Sequence, residues 1–250
     1  MTNNKVYFFA NWKMYGNKSS VNSINKVIAL TKTKKFRKAQ IVYCPPYTLL
    51  KDFVSKTKNT RILTGAQNCH FKNDYGPHTG SINSKMIKNI GSKFVIIGHS
   101  ENRIEGDTDK IINYKIKSAL KAKLKVIFCI GETLSEKRKN RTNQVLKKQI
   151  LKGLNSISNI KDIIISYEPV WSIGTGIIPK IKDLEIQIKK IKNIVKKKYR
   201  SKKFTILYGG SVNPKNVKSL SQIKDINGFL IGGASQNTKK FIDIIEKTIN

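Results

Sequence analysis

A carboxylate that closes a core strand and is followed at once by a glycine-rich flap is well placed to move a proton inside a covered cleft. The run Ser166-Tyr167-Glu168-Pro169-Val170-Trp171-Ser172-Ile173-Gly174-Thr175-Gly176 has this form. It follows Ile163-Ile164-Ile165, apolar and β-branched, which reads as a buried strand. Glu168 is thus expected at the strand's C-terminal end. A rigid Pro-Val-Trp corner comes next, and Pro169 to Gly176 form a lid. Two more groups join it. Asn11 and Lys13 end the apolar run that starts at Val6, and His99 and Glu101 follow the run that starts at Phe94. An inward ammonium at a strand mouth needs an anion. Alone, Lys13 is one of 43 lysines, and a single histidine after a strand is more often a hydrogen-bonded structural residue.

Two glycine pairs supply the anion chemistry. Tyr208-Gly209-Gly210-Ser211-Val212 and Ile231-Gly232-Gly233-Ala234-Ser235 each follow an apolar run. Glycines ahead of a short helix let backbone N–H groups approach a phosphate with no Cβ in the way. One such pair is as easily a simple turn; two in adjacent loops, each with serine, point to phosphate.

These positions need a frame that brings strand ends together. Eight short apolar strands are expected, at 6–11, 41–44, 62–66, 94–98, 126–130, 163–167, 204–208 and 228–231. Most of the intervals carry helical periodicity. Ile112, Ile116, Ala119 and Leu120 mark a helix over 109–122. Leu184, Ile188, Ile191 and Val195 mark a second, and Phe241, Ile242, Ile245 and Ile249 a third. Strands too apolar to have a wet face, alternating with helices, argue an α/β protein with a covered parallel sheet. Eight units in 250 residues fit a single-domain (β/α)8 barrel over residues 1–250, with function at the C-terminal strand ends. No Gly-x-Gly-x-x-Gly follows the first strand, so a dinucleotide cofactor is not expected.

The net charge of +34 raises nucleic-acid binding as an alternative. Only six of the 49 basic residues are Arg, the residue suited to base reading and stacking. The densest stretch, Lys189 to Lys203, keeps Ile191, Ile194, Val195 and Tyr199 for packing. Specific nucleic-acid binding is therefore not expected. No apolar run reaches the roughly 18 residues of a membrane span, and the first 13 residues lack a leader's apolar core. Cys44, Cys69 and Cys129 read as reduced thiols of a cytoplasmic protein. His70 and His78, near Cys69, match no metal-ligand spacing, and no metal or cofactor is expected.

Asn11-Trp12-Lys13-Met14, Gly98-His99-Ser100-Glu101, Cys129-Ile130-Gly131-Glu132, the lid run and the two glycine pairs together resemble triosephosphate isomerase, in the family's order and along nearly the whole chain. The resemblance implies a barrel without cofactor or metal. It implies interconversion of dihydroxyacetone phosphate and glyceraldehyde 3-phosphate, in glycolysis and gluconeogenesis, by a homodimer. By position, Glu168 resembles the base and His99 a neutral electrophile, an assignment borrowed from the family. Lys13 and Asn11 resemble electrostatic partners, and Glu101 their supporting carboxylate. Gly174, Ser211, Gly232 and Gly233 match phosphate binders. The segment from Gln67 to Gly80, with Gly76-Pro77-His78-Thr79-Gly80, matches the part that docks into a second subunit. Tyr15 stands where Asn is usual, and Asp107 where Glu is usual. Ser81 and Asn102 replace a common Glu and Arg that can pair across the dimer. The far hinge, Ile177-Ile178-Pro179, is short and apolar. Another phosphate-handling barrel, an isomerase or lyase of sugar or indole phosphates, would keep the glycine pairs but not the Asn-x-Lys, His and Glu-Pro-Val-Trp set.

Overall fold

The computed structural model describes residues 5–200 and 204–249. The reading of residues 1–4 as part of a leader-free start, and the end of the basic run at Lys202 and Lys203, lie outside them.

Eight parallel strands close into a barrel in sequence order: β1 (Val6–Asn11), β2 (Ala39–Cys44), β3 (Leu63–Ala66), β4 (Phe94–Ile97), β5 (Lys125–Ile130), β6 (Ile163–Tyr167), β7 (Thr205–Tyr208) and β8 (Gly228–Ile231). Each pairs with the next, and β1 closes the ring against β8 through Tyr7 beside Gly228 to Ala10 beside Ile231. The helices outside are α1 (Ile24–Lys32), α2 (Tyr47–Thr57), α3 (Ser84–Asn89), α4 (Ser100–Ile104), α5 (Asp109–Lys121), α6 (Leu134–Arg138), α7 (Thr142–Gly153), α8 (Ile181–Tyr199), α9 (Val217–Ser221) and α10 (Thr238–Ile249). The expected strands all occur, with ends shifted by one or two residues. β4 stops before Gly98, whose φ of +78° turns the chain out of extended geometry.

Two apolar layers follow from the two faces of each strand. One face fills the barrel with Phe9, Val42, Cys44, Phe94, Ile96, Ile127, Cys129, Ile164, Leu207 and Leu230, with Phe9 and Phe94 packed edge to face at 5.2 Å. The other face, with Phe8, Ile41, Val95, Phe128 and Ile165, packs against the helices. The expected helix stripes meet this layer: Ile112, Ile116 and Ala119 on α5, Leu184, Ile188, Ile191 and Val195 on α8, and Phe241, Ile244 and Ile245 on α10. On α8 and α10 the lysines take the opposite faces, whereas Lys115 of α5 is buried, and α8 ends where Arg200 enters the left-handed region at φ +49°.

This alternation builds the site. Continuing the barrel-filling face by twos leads from Phe9 to Asn11 and Lys13, from Ile164 to Ser166 and Glu168, from Leu207 to Gly209, and from Leu230 to Gly232. Polar and small residues thus cap the apolar barrel at one end.

Candidate active site

A cavity of about 590 Å³ opens over that end. Asn11, Lys13 and His99 line one part of it. Gly174 and Gly176 of the lid, Ser211, Gly232 and Gly233 line the rest. The structure therefore brings Asn11, Lys13, His99, Gly174, Ser211, Gly232 and Gly233 of the expected set together from five separate segments, with Glu101 reaching them through Lys13. Glu168 is not part of the cavity wall itself. It is 2% exposed and sits behind Gly209, where a Cβ would stand only 2.5 Å from Glu168 Cγ.

Lys13 is held in an uncommon conformation. Its φ is +54°, a region that costs a side-chain-bearing residue strain and that is kept only where the surroundings enforce it. Asn11 Oδ1 accepts the Lys13 N–H at 3.1 Å, and Gln67 Nε2 donates to both Lys13 O and Cys44 O at 2.8 Å. The Lys13 ammonium then meets Glu101 Oε1 at 2.6 Å. Asn11, expected with Lys13 as an electrostatic partner in the site, here also fixes the lysine's backbone.

His99 caps α4. Its Nδ1 accepts the N–H of Glu101 at 3.3 Å and lies 3.5 Å from Glu101 Oε2. The ring Nε2 lies 3.9 Å from Glu168 Oε2. That carboxylate oxygen is buried with no partner, while Oε1 accepts from Ser166 Oγ at 3.3 Å. A buried, unsatisfied carboxylate oxygen is costly in a purely structural role.

The lid is anchored at its first half and exposed at its tip. Val170–Ser172 form a 3-10 turn, and Val170 N–H donates to Glu132 O at 3.0 Å. Trp171 Nε1 donates to Glu132 Oε1 at 2.9 Å, and Tyr167 Oη to Glu132 Oε2 at 3.1 Å. Lys137 Nζ lies 3.3 Å from the Trp171 ring centre on the other side. Burial pushes the Glu132 carboxyl up from its ordinary value, against the pull of the Trp171 and Tyr167 donors. Farther on, Ser172 Oγ donates to Ile177 O at 2.6 Å and shares a hydrogen bond with Tyr208 Oη at 3.1 Å. Gly174 and Gly176 have φ of +72° and +77° in open space, so they are glycines for conformation rather than for room. The N–H groups of Gly174 and Gly232 meet no protein acceptor among the described residues.

The model of a protein family described as triosephosphate isomerase matches residues 6–248. The chain belongs to the triosephosphate isomerase family. A relative named triosephosphate isomerase from Geotalea uraniireducens (strain Rf4) is 41% identical over 248 residues, covering 96% of this chain and 98% of that one. One from Dictyoglomus turgidum is 40% identical, covering 94% and 96%. The crystal structure of triosephosphate isomerase from Bartonella henselae superposes with a TM-score of 0.89 at 34% identity, covering 97% of this chain and 98% of that one. The activity is that of a triose-phosphate isomerase, an enzyme of glycolysis, and its substrates are triose phosphates.

Within the family frame, the departures have local consequences. Asp107, where Glu is usual, still reaches Lys115: both carboxylate oxygens lie within 2.8 Å of the buried ammonium, which also donates to Asn68 Oδ1. Tyr15 and Met14 are exposed, 60% and 93%. Among the described residues no three His, Cys, Asp or Glu side chains are grouped as metal ligands would be. His70 and His78 face each other with ring centres 4.6 Å apart, and Cys69 is buried away from solvent. No described helix is long and apolar enough to cross a membrane.

Three residues make contacts in the site that the sequence reading did not give them. Gln67, expected in the segment that docks into a second subunit, also ties Lys13 down. Glu132 was noted only as a strand-end residue, yet it anchors the lid. Gly209 was grouped with phosphate binding, yet it makes room for Glu168. Only Gly209 had a signal available, since strand alternation places it beside Glu168 on the inner face.

Proposed function

We propose that Glu168 is the base that carries the proton between the two carbons of the triose phosphate. The observation that carries the reading is the buried, unpartnered Glu168 Oε2, 3.9 Å from His99 Nε2 at the mouth of the barrel. A carbon acid beside a carbonyl needs a carboxylate to take its proton and a donor for the oxygen that gains charge. Glu168 removes the proton and becomes a carboxylic acid. The electron pair moves onto the carbonyl oxygen, giving an enediolate; the proton of the neighbouring hydroxyl passes to that oxygen by way of His99 Nε2, the deprotonated oxygen becomes the new carbonyl, and Glu168 returns its proton to the adjacent carbon. The His99 Nε2–H and the Lys13 ammonium stabilise the two oxygens. Glu101 orients both, through its ion pair with Lys13 and its N–H to His99 Nδ1.

The phosphate takes no part in the bond changes. The free N–H groups of Gly174, Gly232 and Gly233, with Ser211, receive it and draw the exposed lid tip over the cavity. Ser211 N–H is engaged only by a long 3.4 Å contact to Ser172 Oγ, so little is lost in redirecting it. Closure excludes water from the enediolate and suppresses loss of phosphate. Glu168 then has to swing from behind Gly209 into the cavity.

The whole chain acts as one barrel domain in the cytoplasm. It works as a homodimer through the region from Gln67 to Gly80. Phe71 and Tyr75 of this region are 39% and 65% exposed, as apolar side chains kept for a partner surface would be. Purified Glu168→Gln tests the base assignment in a coupled isomerase assay. Loss of at least about 100-fold with retained fold is expected; a variant within tenfold of wild type refutes it.

A further inference from the structure

The cavity is larger and more basic than a triose phosphate requires. About ten non-hydrogen atoms, at no more than a water's share of roughly 30 Å³ each, need at most about 300 Å³. The cavity measures about 590 Å³. Its wall carries three lysines, Lys13, Lys215 and Lys240, and no carboxylate. Lys13 is already paired with Glu101. Lys215 and Lys240 are exposed at the rim, and neither ammonium meets a carboxylate or other acceptor among the described residues. Both stand on short, fixed supports: Lys215 N–H donates to Asn213 Oδ1 at 2.8 Å, and Lys240 N–H to Asn237 Oδ1 at 3.0 Å. Lys215 is four residues beyond Ser211 and Lys240 seven beyond Gly233, so they flank the phosphate cradle on both of its loops.

The backbone N–H groups of the cradle answer one phosphate. Two unpaired ammonium groups facing the same cavity repel each other and have no protein partner to offset it. A second anion at the rim removes that imbalance. We propose that Lys215 and Lys240 form a second anion subsite, which holds the far phosphate of a sugar bisphosphate whose near phosphate sits in the cradle. Such a ligand occupies the cavity without presenting a triose to Glu168, and inhibits competitively. The proposal rests on the reading of Ser211, Gly232 and Gly233 as the phosphate cradle.

Calorimetric titration with fructose 6-phosphate and fructose 1,6-bisphosphate at about 0.1 M salt tests it, on wild type, on Lys215→Gln/Lys240→Gln, and on Lys196→Gln/Lys197→Gln. The last pair removes the same charge from exposed positions on α8. Wild type should bind the bisphosphate at least about tenfold more tightly than the monophosphate. The rim variant should lose that advantage while its monophosphate affinity stays within about twofold, and the α8 variant should keep it. Equal affinities in wild type, an advantage that survives in the rim variant, or one lost equally in the α8 variant overturns the subsite. If wild type binds neither sugar phosphate, the subsite falls together with the cradle reading.

Discussion

Gly209→Ala tests the placement of the base without touching the base. Gly209 has an ordinary backbone conformation, so alanine brings no conformational strain of its own. Its Cβ would lie 2.5 Å from Glu168 Cγ, 2.7 Å from Ser166 Oγ and 3.0 Å from Glu168 Oε1. Carbon atoms pack at about 3.5–4.0 Å, so the Glu168 side chain must give way by roughly 1 Å. A misplacement of that size in a reacting group costs about 100-fold in rate, or roughly 2.7 kcal/mol of barrier. The Gly209 N–H, which donates to Tyr167 O at 2.8 Å, is unchanged, and so are the phosphate N–H groups of the next loop. Steady-state kinetics in both directions should therefore show kcat lowered about 100-fold with KM changed by less than about threefold. Circular dichroism and the thermal midpoint should show an intact barrel. A kcat within threefold of wild type would mean that Glu168 is not held by this contact, and the geometric argument would fail.

Lys13→Met should raise KM and lower kcat together, because the ammonium serves the bound anion and the developing enediolate alike; if neither constant moves, Lys13 is a surface charge. For Glu132, burial raises the folded-state carboxyl above its unfolded value, so the folded protein holds the proton more tightly and loses stability as pH rises from about 4 towards neutral. The thermal midpoint of wild type minus that of Glu132→Gln should therefore fall over this range, and a difference that grows contradicts the assignment. The dimer should dissociate at higher concentration than that of a homologue bearing the Glu and Arg replaced by Ser81 and Asn102; sedimentation velocity over a dilution series decides it, and equal or tighter association refutes it.

The barrel was legible because its strands are read by composition. Ile163-Ile164-Ile165 and Phe94-Val95-Ile96-Ile97 are buried on both faces, so neither needs a polar alternation that a sequence could hide. The chemistry at the strand mouths was legible for a related reason. Glu168, Lys13 and His99 are polar residues directly after apolar runs, which leaves them few places to go. What stayed hidden depends on contacts between distant segments. Gln67 lies 54 residues from Lys13, and Glu132 lies 39 from Trp171, and no local pattern announces either hydrogen bond. The Asn11 Oδ1 turned back to the Lys13 N–H is likewise a contact that only coordinates show. The lysine excess was read as a solvated surface. That holds for the outer face of α8, but Lys215 and Lys240 line the cavity with Lys13.

The central claim is that one carboxylate moves one proton between neighbouring carbons. Proton NMR of dihydroxyacetone phosphate incubated with wild type and with Glu168→Gln in deuterium oxide addresses it directly. Wild type should isomerise the substrate and place solvent deuterium on carbon at a rate comparable to turnover, while the variant should do so at least about 100-fold more slowly. Isomerisation by wild type with no deuterium on carbon, or exchange by Glu168→Gln within tenfold of wild type, would contradict the account.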